Sequence, residues 1–171
     1  REAVQNAVCH EPGEITTNDG DPYSVFTYFG RKWQDREKTA PYDPPEADAL
    51  VDFEDDTALP TLADLGFEEP DADVPPAGTE PARALLDAFL DDGVYRYDDR
   101  RDYPADECTS RLSAHLKFGT IGIREVYQGT AQARDAVEPG SERDESVAEF
   151  QSQLAWREFY TQVLFANPNV V

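Results

Sequence analysis

Apolar residues fall at Val25, Phe26, Phe29 and Trp33, three or four apart, and this repeat predicts a helix that buries one aromatic face in a core. Arg31 and Lys32 arrive toward its far end, where cations suit the negative pole of the helix dipole. A second helix is predicted from Thr79, with threonine as cap, Glu80 in the first turn and Pro81 early. Ala84, Leu85, Ala88 and Phe89 make its apolar face, and Gly93 is the expected terminator. A third helix should run from about Ile123 to Arg134. After the turn at Pro139-Gly140 comes a long final helix, near Glu142 to Phe165, with Val147, Phe150, Leu154, Thr161 and Phe165 on one side.

Between these lie segments that break regular structure. Arg1 to His10 reads as a short helical or extended piece, and Thr16 to Tyr23 is a turn cluster containing Asp-Gly and Asp-Pro. From Pro41 to Gly78 the chain is rich in proline and acid and poor in large apolar residues, so it cannot hold a core of its own. It is predicted to be a linker over the surface, with Leu59, Leu62, Leu65 and Phe67 as anchor points. Tyr95 to Pro104 is crowded with charge, too polar for the core, and Pro104 takes the chain out of helix. The expected division is therefore 1–40, a linker at 41–78, and a helical part at 79–171.

Composition changes this picture in one respect. The 171 residues carry 36 acidic and 15 basic side chains, a formal net charge of −21. Such a surface repels nucleic-acid phosphates over most of its area. The basic residues are not spread evenly, however: Arg100, Arg101, Arg111, Lys117, Arg124 and Arg157 lie in or beside the motifs below, while Asp43 to Glu80 is nearly all acidic where it is charged. Arg101, Arg157 and Lys117 are expected on one less acidic face. The acid-rich, lysine-poor balance also suits a halophilic, high-salt cytoplasm. Cys9 and Cys108 have neither metal spacing nor a disulfide framework, which places the chain in a reducing, cytoplasmic compartment. No apolar run reaches membrane-span length, the first residues do not have the form of a secretory signal, and the sequence reads as part of something longer.

Two stretches carry chemistry. In Cys108 to Gly119 the hydroxyls of Thr109, Ser110 and Ser113 stand at or before a helix start, where free backbone N–H groups and the dipole can seat a phosphate. The alternative is that they only cap the helix. In Phe150 to Tyr160, Gln153 and Trp156 are three apart on one helix, so both reach the same side, and tryptophan offers a flat apolar face. His115 has no partner at ligand spacing and is read as a polar helix residue. No metal set, no nucleophile with its base and no Gly-rich dinucleotide loop is present in the sequence.

In order and spacing these stretches resemble the DNA photolyase and cryptochrome family, most closely a haloarchaeal class I cyclobutane pyrimidine dimer photolyase. Thr109-Ser110-Arg111-Leu112-Ser113, with Leu116 and Gly119, is similar to the family run that binds the flavin pyrophosphate. Tyr97, followed by Asp102 and Pro104, matches a further flavin contact, and Arg101 matches an arginine that meets DNA. Trp156 and Arg157 hold the places of a tryptophan that packs on the damaged pyrimidines and an arginine close to the flavin. Val25-Phe26-Thr27 looks like the end of the family's antenna domain.

The resemblance implies a mainly α chain: the first part of the all-helical FAD-binding domain, preceded by the linker and the tail of an α/β antenna domain at 1–40. It implies FAD as cofactor, held by Tyr97, Thr109, Ser110, Arg111, Leu112, Ser113, Phe150 and Arg157. Damaged DNA would be met by Arg101, Gln153 and Trp156, and an antenna pigment, deazaflavin or folate, would belong to the region before the chain. The implied reaction is light-driven repair, an electron from reduced FAD splitting a cyclobutane dimer, in a monomer, with no catalytic residue in this stretch and no activity expected from it alone. Two positions depart from the family pattern. Gln153 stands where cyclobutane enzymes usually have glutamate and is more like the six-four photolyases and animal cryptochromes, and Phe150 often has tryptophan in its place. A cryptochrome-type light receptor, a six-four photolyase and a helical protein without flavin are the alternatives. If flavin binds, Thr109, Ser110 and Ser113 are expected in one cavity with Tyr97 and Phe150.

Overall fold

The computed structural model describes residues 7–49, 58–68 and 71–170. Within these the chain is helical, with no strand and a single isolated bridge between Thr16 and Pro22. Helices are α1 (Phe26–Asp35), α2 (Thr79–Asp91), α3 (Tyr97–Arg100), α4 (Ser113–Phe118), α5 (Ile123–Asp135) and α6 (Glu142–Ala166). Residues Arg1–Pro41 with Ala77–Val171 form one compact unit, and Tyr42–Pro76 form another.

In the first unit α6 is the spine, and α1, α3 and α5 all pack on it. It starts where the sequence says it should: Ser141 is the cap, its side chain accepting the N–H of Asp144, with Glu142, Asp144 and Glu145 in the first turn. Its buried stripe runs through Val147, Phe150, Gln151, Leu154, Ala155, Glu158, Phe159 and Gln162. The predicted continuation through Thr161 and Phe165 is not followed, and Phe165 is 67% exposed. Steps of three and four residues from Leu154 lead to Glu158 and Gln162, polar residues that a purely apolar template passes over.

The helix from Thr79 forms, with differences at both ends and on its face. Gly78 holds the cap position, and no side chain accepts a capping bond. Ala82, Leu86 and Phe89 are the buried set, while Ala84 and Ala88 are exposed, because the helix turns toward α5. There Gly129 lets the backbone come close: a Cβ would stand 2.7 Å from Leu90 Cδ1. Gly93 does not stop the helix in a left-handed turn; it opens a 3₁₀ turn, Gly93–Arg96, that leads into α3. This stretch is not excluded from the core, as its charge predicted. Val94 is fully buried and the rings of Tyr95 and Tyr97 pack inward, with the charged side chains alternating outward.

Residues 7–41 share this core: Val8, Cys9, Ile15, Phe29 and Trp33 are each 3% exposed or less. The expected piece at 1–10 lies outside the described residues up to 6; beyond that, 7–10 is irregular rather than helical. The second unit has a short 3₁₀ turn, Ala47–Ala49, and a turn at 61–66 closed by Thr61 and Asp64. Its predicted anchors do not bury: Leu59 is 91% exposed, and Leu62, Leu65 and Phe67 are also exposed. Residues 50–57 and 69–70 of the predicted linker lie outside the described residues.

Candidate functional site

The loop that carries the hydroxyls is bracketed by two unusual backbone conformations. Glu107 has φ 52° and Arg111 φ 53°, in the left-handed region that costs an ordinary residue about 1–2 kcal/mol. Their side chains meet in an ion pair at 2.8 Å. Leu112, fully buried, anchors the loop, and α4 then begins at Ser113. No side chain caps this helix. Ser110 Oγ accepts the Leu112 N–H at 3.4 Å, while the hydroxyls of Thr109 and Ser113 have no hydrogen-bond partner among the described residues. Thr109, Ser110 and Arg111 border an open hollow of about 260 Å³ together with Phe89, Gly93 and Arg96. The single-cavity expectation is met only in part. Ser113, Tyr97 and Phe150 are not in this lining. Tyr97 and Phe150 stand behind Phe89 in an aromatic cluster, with ring centroids 5.1 Å apart and nearly perpendicular, and each within about 6 Å of Phe89.

On α6 a second group faces the end of α3. Glu149 Oε1 accepts from Gln153 Nε2 at 2.9 Å and from Arg101 Nη1 in an ion pair. Arg101 also lies over the ring of Tyr97, 5.8 Å from its centroid. The Arg101 charge is therefore engaged with a carboxylate, unlike the open cationic face predicted for it. Arg157 is elsewhere, donating to the carbonyls of Ala7 and, at 3.1 Å, Leu116. Lys117, next in sequence to Leu116, is exposed, with its ammonium over the ring of Phe118.

Trp156 is half-buried in a third group. Phe26 of α1 stacks on it at 3.7 Å with 12° between planes, and Tyr160 lies 5.6 Å away at 25°. Beside it Tyr23, Val25, Phe26, Phe159 and Tyr160 line an open hollow of about 740 Å³. Gln153 and Trp156 take different partners: Gln153 donates to Glu149, and the tryptophan's face carries Phe26. His115 is buried with Nδ1 2.8 Å from Thr120 Oγ1, a packed polar residue of α4.

Sequence reasoning missed Glu158. It is fully buried, and its carboxylate accepts the backbone N–H groups of Cys9 at 2.6 Å and His10 at 3.1 Å. Burial pushes its pKa up, against the Trp33 side chain, the two N–H groups and Lys38, which favour the charged form. Around it burial, with the Glu158 charge, pushes the Cys9 thiol up to about 12. Burial, helped by Lys38 and Arg36, lowers His10 to about 4. Lys38, over the rings of Trp33 and Tyr127, is lowered by burial to about 8. Arg124 Nη2 donates to Cys9 O at 3.3 Å. A carboxylate at a stripe position was the visible signal for this cluster. Among the described residues no group of side chains could hold a metal ion, and no helix is long and apolar enough to cross a membrane.

No protein-family model matches the chain. It is 61% identical over 170 residues to the deoxyribodipyrimidine photo-lyase of Halobacterium salinarum, an alignment that covers 97% of this chain and 35% of that protein. The chain is therefore similar, over nearly its whole length, to a segment of a photolyase. The deoxyribodipyrimidine photo-lyase of a Synechococcus strain is 36% identical over 180 residues, covering 98% of this chain and 37% of that protein. A crystal structure of a bacterial class III photolyase from Agrobacterium tumefaciens superposes with a TM-score of 0.79 at 28% identity, covering 95% of this chain and 34% of that one. The chain thus spans 34% to 37% of the length of these photolyases. Its helical, strand-free described part matches a photolyase helical domain.

Proposed function

We propose that the full-length protein is a cytoplasmic, monomeric DNA photolyase that repairs cyclobutane pyrimidine dimers, and that this chain supplies part of its FAD site and part of its DNA face. In this reading residues 1–40 leave an antenna domain that carries a deazaflavin or folate, 41–78 is the linker, and 79–171 opens the flavin domain.

The observation that carries it is the Thr109–Ser113 loop. No side chain caps α4, and the hydroxyls of Thr109 and Ser113 have no hydrogen-bond partner among the described residues. Thr109, Ser110 and the Arg111 guanidinium stand around a hollow large enough for a phosphate group but not for a whole dinucleotide, whose lining also holds Glu107 and Asp92, paired with Arg111 and Arg96. The loop residues fit the pyrophosphate of FAD. Thr109, Ser110 and Ser113 would donate to its oxygens, Arg111 would balance its charge once released from Glu107, and buried Leu112 would fix the loop. Tyr97, Phe150 and Arg157 would complete the chain's share of the site. When bound, reduced FAD would supply light-driven electron transfer to the dimer and take the electron back after the ring opens.

The chain's own residues orient the substrate. Trp156 is the apolar wall for the flipped bases once Phe26 gives way, Gln153 hydrogen-bonds a base edge, and Arg101 meets the bent backbone. Stacking on an aromatic side chain is worth about 1–3 kcal/mol per base. In the full-length protein Trp156→Ala should therefore weaken binding to dimer-containing DNA about ten- to a hundredfold while bound flavin is retained. The test pairs the absorption spectrum of that protein with illumination of dimer-containing DNA. A colourless protein overturns the flavin assignment. Loss of flavin in Trp156→Ala, with no selective loss of damaged-DNA affinity, makes the tryptophan a core residue and overturns the substrate assignment.

A further inference from the structure

We propose that Glu149 is a positioning residue that sets selectivity for damaged over intact DNA, by holding Arg101 and Gln153 on one carboxylate. The proposal rests on the repair reading above and goes beyond it, since the reading gives Glu149 no part.

Glu149 lies one helical turn before Gln153 on α6, and its Oε1 is shared between the Gln153 amide, at 2.9 Å, and the Arg101 guanidinium. Both ionised side chains are about one-third exposed, 33% for Arg101 and 30% for Glu149, so water screens the pair only in part. Two consequences follow from the chemistry of the groups. A carboxylate only accepts, so only the NH₂ end of Gln153 can face it, and the amide oxygen is turned outward as an acceptor. An untethered amide would present oxygen or nitrogen with little preference. The guanidinium, for its part, is held by an internal anion that stands in the place a DNA phosphate would take. Any backbone phosphate must compete with Glu149 for Arg101, which weakens intact and damaged DNA alike. Only a ligand that also uses the oriented Gln153 oxygen recovers the difference. The carboxylate thus handicaps non-specific binding and orients the specific contact.

The experiment uses the full-length protein with a duplex oligonucleotide carrying one cyclobutane thymine dimer and the same duplex without it. Dissociation constants are measured for the wild type, Glu149→Ala, Glu149→Gln, Gln153→Ala and the Glu149→Ala/Gln153→Ala double variant. Glu149→Ala should bind the intact duplex at least as tightly as the wild type, and its damaged-to-intact ratio should fall about fivefold or more. Gln153→Ala should lower the ratio in the wild type but by less than about twofold in the Glu149→Ala background, because the orientation is already lost. An unchanged melting temperature separates this from misfolding, and Glu149→Gln, which keeps the volume and removes the charge, provides the comparison if the alanine variant does not fold. A selective wild type whose Glu149 variants keep the full ratio overturns the Glu149 assignment and leaves the repair reading standing. A wild type with no preference for the dimer duplex overturns both.

Discussion

Removing the Glu158 carboxylate should unlock the segment around Cys9 and His10 from α6. Glu158→Ala leaves the buried N–H groups of Cys9 and His10 without their acceptor, at about 1–3 kcal/mol each. These costs overlap, and relief of the carboxylate's own desolvation works against them, so a net loss of about 2–4 kcal/mol is expected. For a domain of ordinary stability that is a large fraction of the whole. Glu158→Gln keeps one acceptor oxygen and loses the charge, and should fall between the alanine variant and the wild type. Urea unfolding in a high-salt buffer gives the free energies, and hydrogen exchange at the Cys9 and His10 amides shows whether the segment opens locally. A Glu158→Ala protein within about 1 kcal/mol of the wild type, with those two amides still protected, would refute the reasoning.

Burial holds the His10 pKa at about 4 against an ordinary value of 6.5, so the unfolded state binds more protons between these values. Stability from His10 is complete above pH 6.5 and lost as pH falls through about 4; His10→Asn should flatten that part of a stability-against-pH curve, and an unchanged slope would remove the argument. Glu158 runs the other way: its raised pKa gives stability present below the ordinary carboxylate value and lost as pH rises through the folded value, and Glu158→Gln should remove that slope too. Gly119 closes α4 at φ 72°, so Gly119→Ala should cost about 1–2 kcal/mol by thermal melting, and no loss would show that the turn relaxes freely. With a net charge of −21, the melting temperature of the chain should rise steeply between dilute buffer and molar potassium chloride, and a flat response would show that repulsion among the carboxylates is not a major term.

The sequence by itself determined α1, α2, α5, α6 and the loop of hydroxyls, but not α3. Local rules are enough for that: the three-and-four repeat of apolar residues marks α1, and the turn at Pro139-Gly140 sets the start of α6, because turns and periodicity act over a few residues. Family likeness read along the chain was legible for the same reason, since Thr109 to Ser113 and Trp156-Arg157 are contiguous runs. Tertiary structure decided which partner each side chain takes. Arg101 is neutralised by Glu149, 48 residues away, and Glu158 is locked to Cys9, 149 residues away. The inward turn of Tyr95 and Tyr97 also goes against the charge of their neighbours, because a ring and a guanidinium on adjacent residues can point to opposite sides. Periodicity says which residues share a face but not what the face meets. A polar residue in a buried stripe is tolerated only when a distant donor satisfies it, and the donor is chosen by packing rather than by spacing.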